Sequence, residues 1–489
     1  MQKELFDLED TKGINNPKSY DGLYGFHKYW GKKPAELYST LIEKLTNKDD
    51  IVVDPFVGSG VLVREALLLE RRVIASDLNP AAIELTRLMI ITPGANELTE
   101  AIEEIKKSVY PLICESYSTD AGGIASHYIW EQDNLIEVRE RIKGSNRNIK
   151  RDPTDYDLKV FKKHSTYISK FLRPLNLQEN SRINVKKGMS LNDIFTGRAL
   201  KNIDLLLSSF AKYDDHLKRA LYLLLTSSIG QMSKMVFTID GGAGKGYQVG
   251  SWVIGFWKPK LHFEINVWNC FESKANKLIK SLYVIKDISK VAIGDVKSVI
   301  EKKSRCSVEL SDAIAQMNGL SPGSIKLILT DPPHGDRIPY LELSDLWNSI
   351  LHVSVDYEKE IIKTNAKGRE QISKEYESRM LLFYEAANNK LADDGYFVLI
   401  FNSTKKEEWK AVEAAQNYFD YLGVVPAYYS AGSVVQDNRK GSLKSDLVLM
   451  FSKKGFGTKQ RKAMKSFQEF ESAWPSHYSD SNTEVDIVE

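Results

Sequence analysis

The chain has 489 residues, 42% of them hydrophobic, which suffices for two or three buried cores at roughly 150 residues per domain. A formal charge of +2 excludes an indiscriminate polycation. No apolar run approaches the ~20 residues of a membrane span, Met1-Gln2-Lys3-Glu4 opens no signal peptide, and Cys114, Cys270 and Cys306 lie too far apart for a disulfide framework or a zinc cluster, so a cytoplasmic protein without membrane or metal is expected.

Residues 1 to about 20 are polar and arm-like. The segment Phe26-His27-Lys28-Tyr29-Trp30-Gly31-Lys32-Lys33-Pro34 follows, and Pro34 can sit in the first turn of a helix through Leu37, Leu41, Ile42 and Leu45. His27, Trp30 and Lys32 then stand at a helix N-terminus, a place suited to an anion such as a carboxylate. Next comes Ile51-Val52-Val53-Asp54-Pro55-Phe56-Val57-Gly58-Ser59-Gly60, a strand running into a glycine turn and a helix. A second strand, Arg72 to Ser76, ends in Asp77, nineteen positions after Gly58. At that distance an acid at the end of the next strand reaches a ribose diol. Strand, turn, helix, strand and acid read as a nucleoside-binding unit. Val63 holds the place of the third glycine of a dinucleotide fingerprint, and Asp54, Pro55 and Phe56 precede the turn. Adenosine with an amino-acid tail, S-adenosylmethionine, fits better than a cofactor with a close pyrophosphate.

From about Glu97 the pattern is helical to Tyr117, then mixed and glycine-rich. Between Lys143 and Lys201 there are fourteen Lys/Arg against five Asp/Glu, either a solvated face or a phosphate-binding one through Lys162, Lys163 and Lys170. Long helical patterns cover roughly 197 to 235 and 266 to 285, more in keeping with core than with a cofactor box. The linking Gly241 to Gly246 run lacks the spacing of a P-loop and reads as a mobile substrate loop, with Tyr247, Trp252, Phe256 and Trp257 downstream as stacking candidates. Val291-Ala292-Ile293-Gly294-Asp295 is a short apolar run ending in an acid. A second apolar run, through Ile325, Leu327, Ile328 and Leu329, ends in Thr330-Asp331-Pro332-Pro333-His334. Helices over about 342–353 and 374–391, a strand over 395–401, a helix to about Leu422 and a closing hairpin (424–429 with 445–451) complete the pattern, and a polar tail begins near Lys454.

A doubly wound α/β sheet split by roughly 200 residues is therefore expected, because so long an interruption needs a domain of its own, here mainly helical. The boundaries fall at 1–95 (cofactor-closing element and cofactor half), 96–288 (insert), 289–454 (catalytic half) and 455–489 (tail). Ligands of such sheets bind beyond the strands' carboxyl ends. That places Asp77 on the ribose, Asp295 on the adenine amino group, the glycine turn on the methionine end and Asp331 beside the methyl. An exocyclic amine is a poor nucleophile, its lone pair being delocalised into the ring. If the Asp331 carboxylate and the Pro332 carbonyl accept its two N–H groups, they favour a pyramidal nitrogen and so the transition state. His334 would stack on the base, which must be flipped out of a duplex to enter. There is no Pro-Cys for a thiolate route to carbon-5 of cytosine.

Asp331-Pro332-Pro333-His334 resembles the catalytic Asp-Pro-Pro-Tyr loop of amino-group DNA methyltransferases. Phe56-Val57-Gly58-Ser59-Gly60 is similar to their cofactor loop, and His27 to Pro34 to their cofactor-closing element. Gly335-Asp336-Arg337-Ile338-Pro339-Tyr340-Leu341-Glu342-Leu343-Ser344 further resembles an adenine-specific group that often carries a zinc ribbon. The resemblance implies a Rossmann-like methyltransferase sheet and an insert, 96–288, that recognises the target. It also implies double-stranded DNA as partner, a cognate restriction endonuclease, and DNA contacts from Arg337 and Tyr340. Two departures stand out: His334 replaces the usual Tyr, and Ser118, Asp120, Gly122 and Gly123 lie where the ribbon cysteines would be, so the ribbon is read as having lost its metal. Adenine N6 is the first expectation. Cytosine N4, an RNA guanine-N2 methyltransferase, a silent nucleic-acid-binding relative and a nicotinamide enzyme are the alternatives.

Overall fold

In the computed structural model, residues 20–141, 148–242, 246–252, 254–288, 290–335, 338–403, 406–428 and 445–456 are described. The chain opens with helix α1 (Ala35–Leu45), whose apolar stripe Leu37, Leu41, Ile42 and Leu45 is buried. Strand β1 (Ile51–Asp54), helix α2 (Val61–Leu68), strand β2 (Arg72–Asp77) and helix α3 (Pro80–Ile90) follow as the spacing predicts. Asn79 caps α3 through Ala81 N, and Pro80 at its first position lacks only an amide that the helix would leave unused.

The insert contains helix α4 (Ala95–Glu115), strands β3 (Ile124–Glu131), β4 (Asn134–Arg141) and β5 (Asn148–Arg151), helices α5 (Asp155–Lys162), α6 (Gly197–Ser209) and α7 (Asp215–Ser228), strands β6 (Val236–Asp240), β7 (Tyr247–Val249) and β8 (Leu261–Ile265), and helix α8 (Val267–Val284). Helices α4, α6, α7 and α8 fall where the periodicity put them, whereas α5 lies in the basic segment, where no helix was expected. Beyond the sequence expectation, the strands form a six-stranded antiparallel sheet in the order β5-β4-β3-β8-β6-β7. The turn of Ser118, Asp120, Gly122 and Gly123 leads into β3, and the interior behind it is held by a buried ion pair. Arg198 donates to both oxygens of Glu264 at 3.0 and 2.8 Å, and Glu264 also accepts from Thr196 Oγ1 and Trp130 Nε1. The guanidinium lies 4.0 Å from the ring centre of Tyr128 and 5.0 Å from that of Tyr117.

The chain then returns through β9 (Cys306–Leu310), α9 (Ala313–Gly319), β10 (Ile325–Thr330), α10 (Tyr340–Ile350), α11 (Tyr376–Lys390), β11 (Leu391–Phe401), α12 (Lys406–Glu413), β12 (Phe419–Tyr428) and β13 (Ser445–Lys453). The main sheet has seven strands in the order β12-β13-β11-β10-β1-β2-β9. Its five strands β9, β2, β1, β10 and β11 pair in parallel, and β13 runs antiparallel to β11 and β12. This is the doubly wound Rossmann-like fold expected. Val53, Ile74 and Ile328 face one apolar core while Val52, Val73, Leu327 and Leu329 face the other, so the central strands are buried on both sides.

One strand assignment is corrected. Residues 291–295 make only an isolated bridge, Ile293 to Cys306, and Ile293 is 38% exposed; the third parallel strand is β9, beginning at Cys306. A strand of a parallel sheet must bury its side chains, and Cys306 and Val308 do so. The insert is not a separate globule: Leu85 and Met89 of α3 and Leu343, Leu346 and Trp347 of α10 share its apolar core. Among the described residues no helix is long and apolar enough to cross a membrane.

Candidate active site

The strand order reverses between β1 and β10, the switch point at which open α/β sheets bind ligands. Asp54, at the end of β1, is buried and accepts from Thr330 Oγ1 at 2.8 Å and from Phe56 N at 3.1 Å, tying the two strands across that point. Burial raises its carboxyl to about 7. The turn that follows needs glycine at Gly60, where φ is +77° and a Cβ would stand 2.7 Å from Thr86 Cα; this glycine lets α2 approach α3. Asp77 Oδ2 accepts from Gly58 N and its Oδ1 from Asn79 N, both at 2.8 Å. Burial moves Asp77 up to about 6, with the amides of Asn79 and Gly58 opposing the shift. Two hydrogen bonds leave a carboxylate with further lone pairs, so Asp77 can still receive a diol.

These groups border a pocket of about 810 Å³, part of it open to solvent, lined by Trp30, Lys32, Phe56, Gly58, Asp77, Asp331, Pro333 and Tyr340 from the expected set. Tyr340 stacks on Tyr29 at 5.9 Å, and Trp30 stacks on Trp347 at 4.7 Å, which fixes the N-terminal element over helix α10. Lys32 is held by the carbonyls of Tyr24 and His27 at 2.7 and 2.9 Å, and burial lowers its amine to about 7.

Other expected residues stand elsewhere. His27 is turned away from the pocket: its Nε2 meets Thr226 Oγ1 of α7 at 2.9 Å and its ring edge meets Trp347. Burial lowers it to about 3, so it is neutral and ties the N-terminal segment to the insert instead of meeting an anion. Pro34 precedes α1 as its cap, and Asp54 and Gly60 support the pocket from behind. Asp295 is fully exposed and caps the short helix Val296–Ile300 by accepting from Ser298 N. It lies near the start of β9, at the wrong end of the sheet; Asp312, just past the carboxyl end of β9, lines the pocket instead. Lys162, Lys163 and Lys170 are exposed on the insert. Arg337 lies outside the described residues, as do 1–19, 243–245 and the tail from 457.

In the loop after β10, Asp331 Oδ1 meets His334 Nε2 at 2.7 Å and Oδ2 meets Lys33 Nζ at 3.0 Å. The His334 ring lies 4.8 Å from that of Phe401, so it rests on the protein's own aromatic. Pro333 O accepts from Tyr376 Oη at 3.1 Å and from Gly335 N at 3.0 Å, which fixes the loop, while Pro332 O has no hydrogen bond among the described residues. Lys33 was read from the sequence only as one of the lysines before α1, not as a partner of Asp331, and Asp446, its second partner at 2.8 Å, sits in the closing hairpin without any motif. Glu360 also borders the pocket, paired to Arg369 at 2.5 Å; burial and the neighbouring Glu342 raise it to about 8.

Residues 3–88 match the profile of the DNA methylase family. A stretch of 112 residues is 31% identical to the Type II methyltransferase M.HpaI of Haemophilus parainfluenzae, covering 22% of this chain and 34% of that protein, so the chain spans about a third of the length of the relative it matches. Two solved structures of the rRNA methyltransferase aviRa from Streptomyces viridochromogenes align over 92% of this chain and 95% of theirs at 11% identity. Their TM-score of 0.28 is too low to bear on the fold.

Proposed function

We propose, from a chain that resembles the amino-group DNA methyltransferases, that it transfers the methyl of S-adenosylmethionine to the exocyclic amine of a flipped DNA base, adenine N6 ahead of cytosine N4. The observation that carries this reading is the convergence of Asp77, the Gly58 turn and Asp331 on one pocket at the switch point.

The residues present suit the cofactor. Asp77 has acceptor capacity for a ribose diol, Asp312 takes over from Asp295 as the acid for the adenine amino group, and Phe56, Trp30 and Lys32 border the remaining space. Bound there, S-adenosylmethionine supplies an electrophilic methyl. Asp331 and the Pro332 carbonyl each accept one N–H of the target amine, which points its lone pair toward that methyl and favours the charge developing on nitrogen. Methyl transfer would form the N–C bond while the S–C electron pair stays on the cofactor's sulfur, and the amine would then release a proton to solvent. Tyr340 and His334 bracket the base, Arg337 with Lys162, Lys163 and Lys170 meet DNA phosphates, and residues 96–288 read the target site. A cognate restriction endonuclease is the corresponding partner.

Expression in a methylation-free host followed by sequencing for modified bases tests this. N6-methyladenine at a defined motif is expected; methylcytosine alone would correct the base, and unmodified DNA with active, cofactor-saturated protein would defeat the proposal.

A further inference from the structure

Asp331 does not stand alone. The Lys33 ammonium lies 3.0 Å from Asp331 Oδ2 and 2.8 Å from Asp446 Oδ2, and the side chains of Lys33 and Asp446 are almost wholly buried. Asp446 is further held by Asn402 Nδ2 at 2.9 Å. The three groups come from distant parts of the chain: the N-terminal element, the end of β10 and the start of β13. Lys33 thus stands between two carboxylates, and it and Asp331 line the pocket. Lys33 by itself would offset the charge of Asp331; the second carboxylate offsets that of the ammonium. The ammonium also fixes which way the Asp331 carboxylate faces, leaving acceptor capacity on both oxygens for an incoming N–H.

We propose that Lys33 and Asp446 are positioning residues for methyl transfer, Lys33 orienting the Asp331 carboxylate and Asp446 anchoring the Lys33 ammonium and offsetting its charge, so that Asp331 keeps its attraction for the cationic nitrogen of the transition state. The inference rests on the methyl-transfer reading. The arrangement is electrostatic preorganisation, since the charges are in place before the amine gains its own.

The two residues leave different signatures. In Lys33→Met the half-buried Asp331 and the buried Asp446 lose the ammonium between them and the pair takes up a proton, so activity returns only as pH rises. In Asp446→Asn the remaining Lys33–Asp331 pair is neutral, and activity is low at every pH. The groups facing the cluster are His334 on the loop, Tyr38 on α1, Asp54 at the end of β1 and Tyr340 on α10, and all are unchanged in wild type and both variants.

The experiment measures single-turnover methyl transfer to DNA against pH for wild type, Lys33→Met and Asp446→Asn, with calorimetric binding of S-adenosylmethionine and thermal melts alongside. Expected are a fall of about 10²-fold in Lys33→Met with its acid limb moved to higher pH, a fall of about tenfold without such movement in Asp446→Asn, and cofactor affinity within about twofold of wild type in both. If Lys33→Met does not fold, the profile of Asp446→Asn decides. A folded variant of either residue with the wild-type rate and profile overturns the inference. Absence of transfer by the wild type, read separately, would overturn the methyl-transfer reading itself.

Discussion

Asp331 and Asp77 border the same pocket, yet their removal should be felt in different measurements. Asp331→Ala takes away the group proposed to accept the target N–H, so transfer should be abolished while the calorimetric affinity for S-adenosylmethionine stays near wild type; measurable turnover would remove Asp331 from the chemistry. Asp77→Ala removes the proposed diol acceptor and the partner of Gly58 N, and should weaken cofactor binding by about tenfold or more. An unchanged dissociation constant would refute that role. Asp54 makes a prediction about stability. Its carboxyl moves from 3.8 to about 7 on burial, so the folded state holds a proton over a range where the unfolded chain has lost it. Its contribution is then full below about pH 4 and falls as pH rises toward about 7. Asn cannot titrate and keeps an acceptor for Thr330 and Phe56 N, so in urea melts Asp54→Asn should gain on wild type as pH rises from about 4 to about 7. A difference that does not change with pH would mean that Asp54 does not titrate in the fold.

At the scale of elements, the insert's sheet is joined to its helices by Arg198 on α6 and Glu264 on β8, fully buried and ringed by Tyr117 and Tyr128. Breaking one half of such a pair strands the other charge. Arg198→Met should cost about 3–5 kcal/mol in chemical denaturation, and the double variant Arg198→Met with Glu264→Leu should recover much of the loss. A single variant as stable as wild type would show the pair to be dispensable. Helix α10 plays the corresponding part between the Asp331 loop and the insert. Its acids Glu342 and Asp345 are buried, Glu342 paired with Arg369 at 2.7 Å and Asp345 with Arg173 of the insert. Apolar and ionic contacts thus leave the same helix in different directions, one reason its residues are buried all round.

For the molecule as a whole, the shared core of α3, α10 and the insert fixes the second sheet relative to the pocket. A target read by the insert, as proposed, would thereby be held at a set distance from Asp331. The exposed Lys162, Lys163 and Lys170 are placed to meet a polyanion. If they do, replacing them with Gln should reduce the slope of log affinity for DNA against log salt by about 0.9 for each phosphate no longer neutralised. An unchanged slope would return this segment to an ordinary solvated face.

What the sequence by itself determined is local. Strand, glycine turn, helix and the acid after the next strand follow one another within a short span, so Gly58 and Asp77 had to meet once β1 and β2 paired in parallel. The apolar run into Asp331 was likewise legible, because a strand buried on both faces reads as a continuous apolar stretch. Tertiary structure alone decided the rest. Residues 291–295 and 306–312 both offer apolar positions followed by an acid, and only pairing of β9 with β2 puts Asp312 and not Asp295 at the pocket. The six-stranded sheet joins β3 to β8 across the intervening helices, and the Lys33–Asp331–Asp446 cluster joins segments from both ends of the chain. His27 looked like an anion ligand by its neighbours and proved to be a buried neutral tie to Thr226. Periodicity reports which face of an element is buried, whereas the partner that buries it is chosen by the closure of long loops, and that choice leaves no local mark.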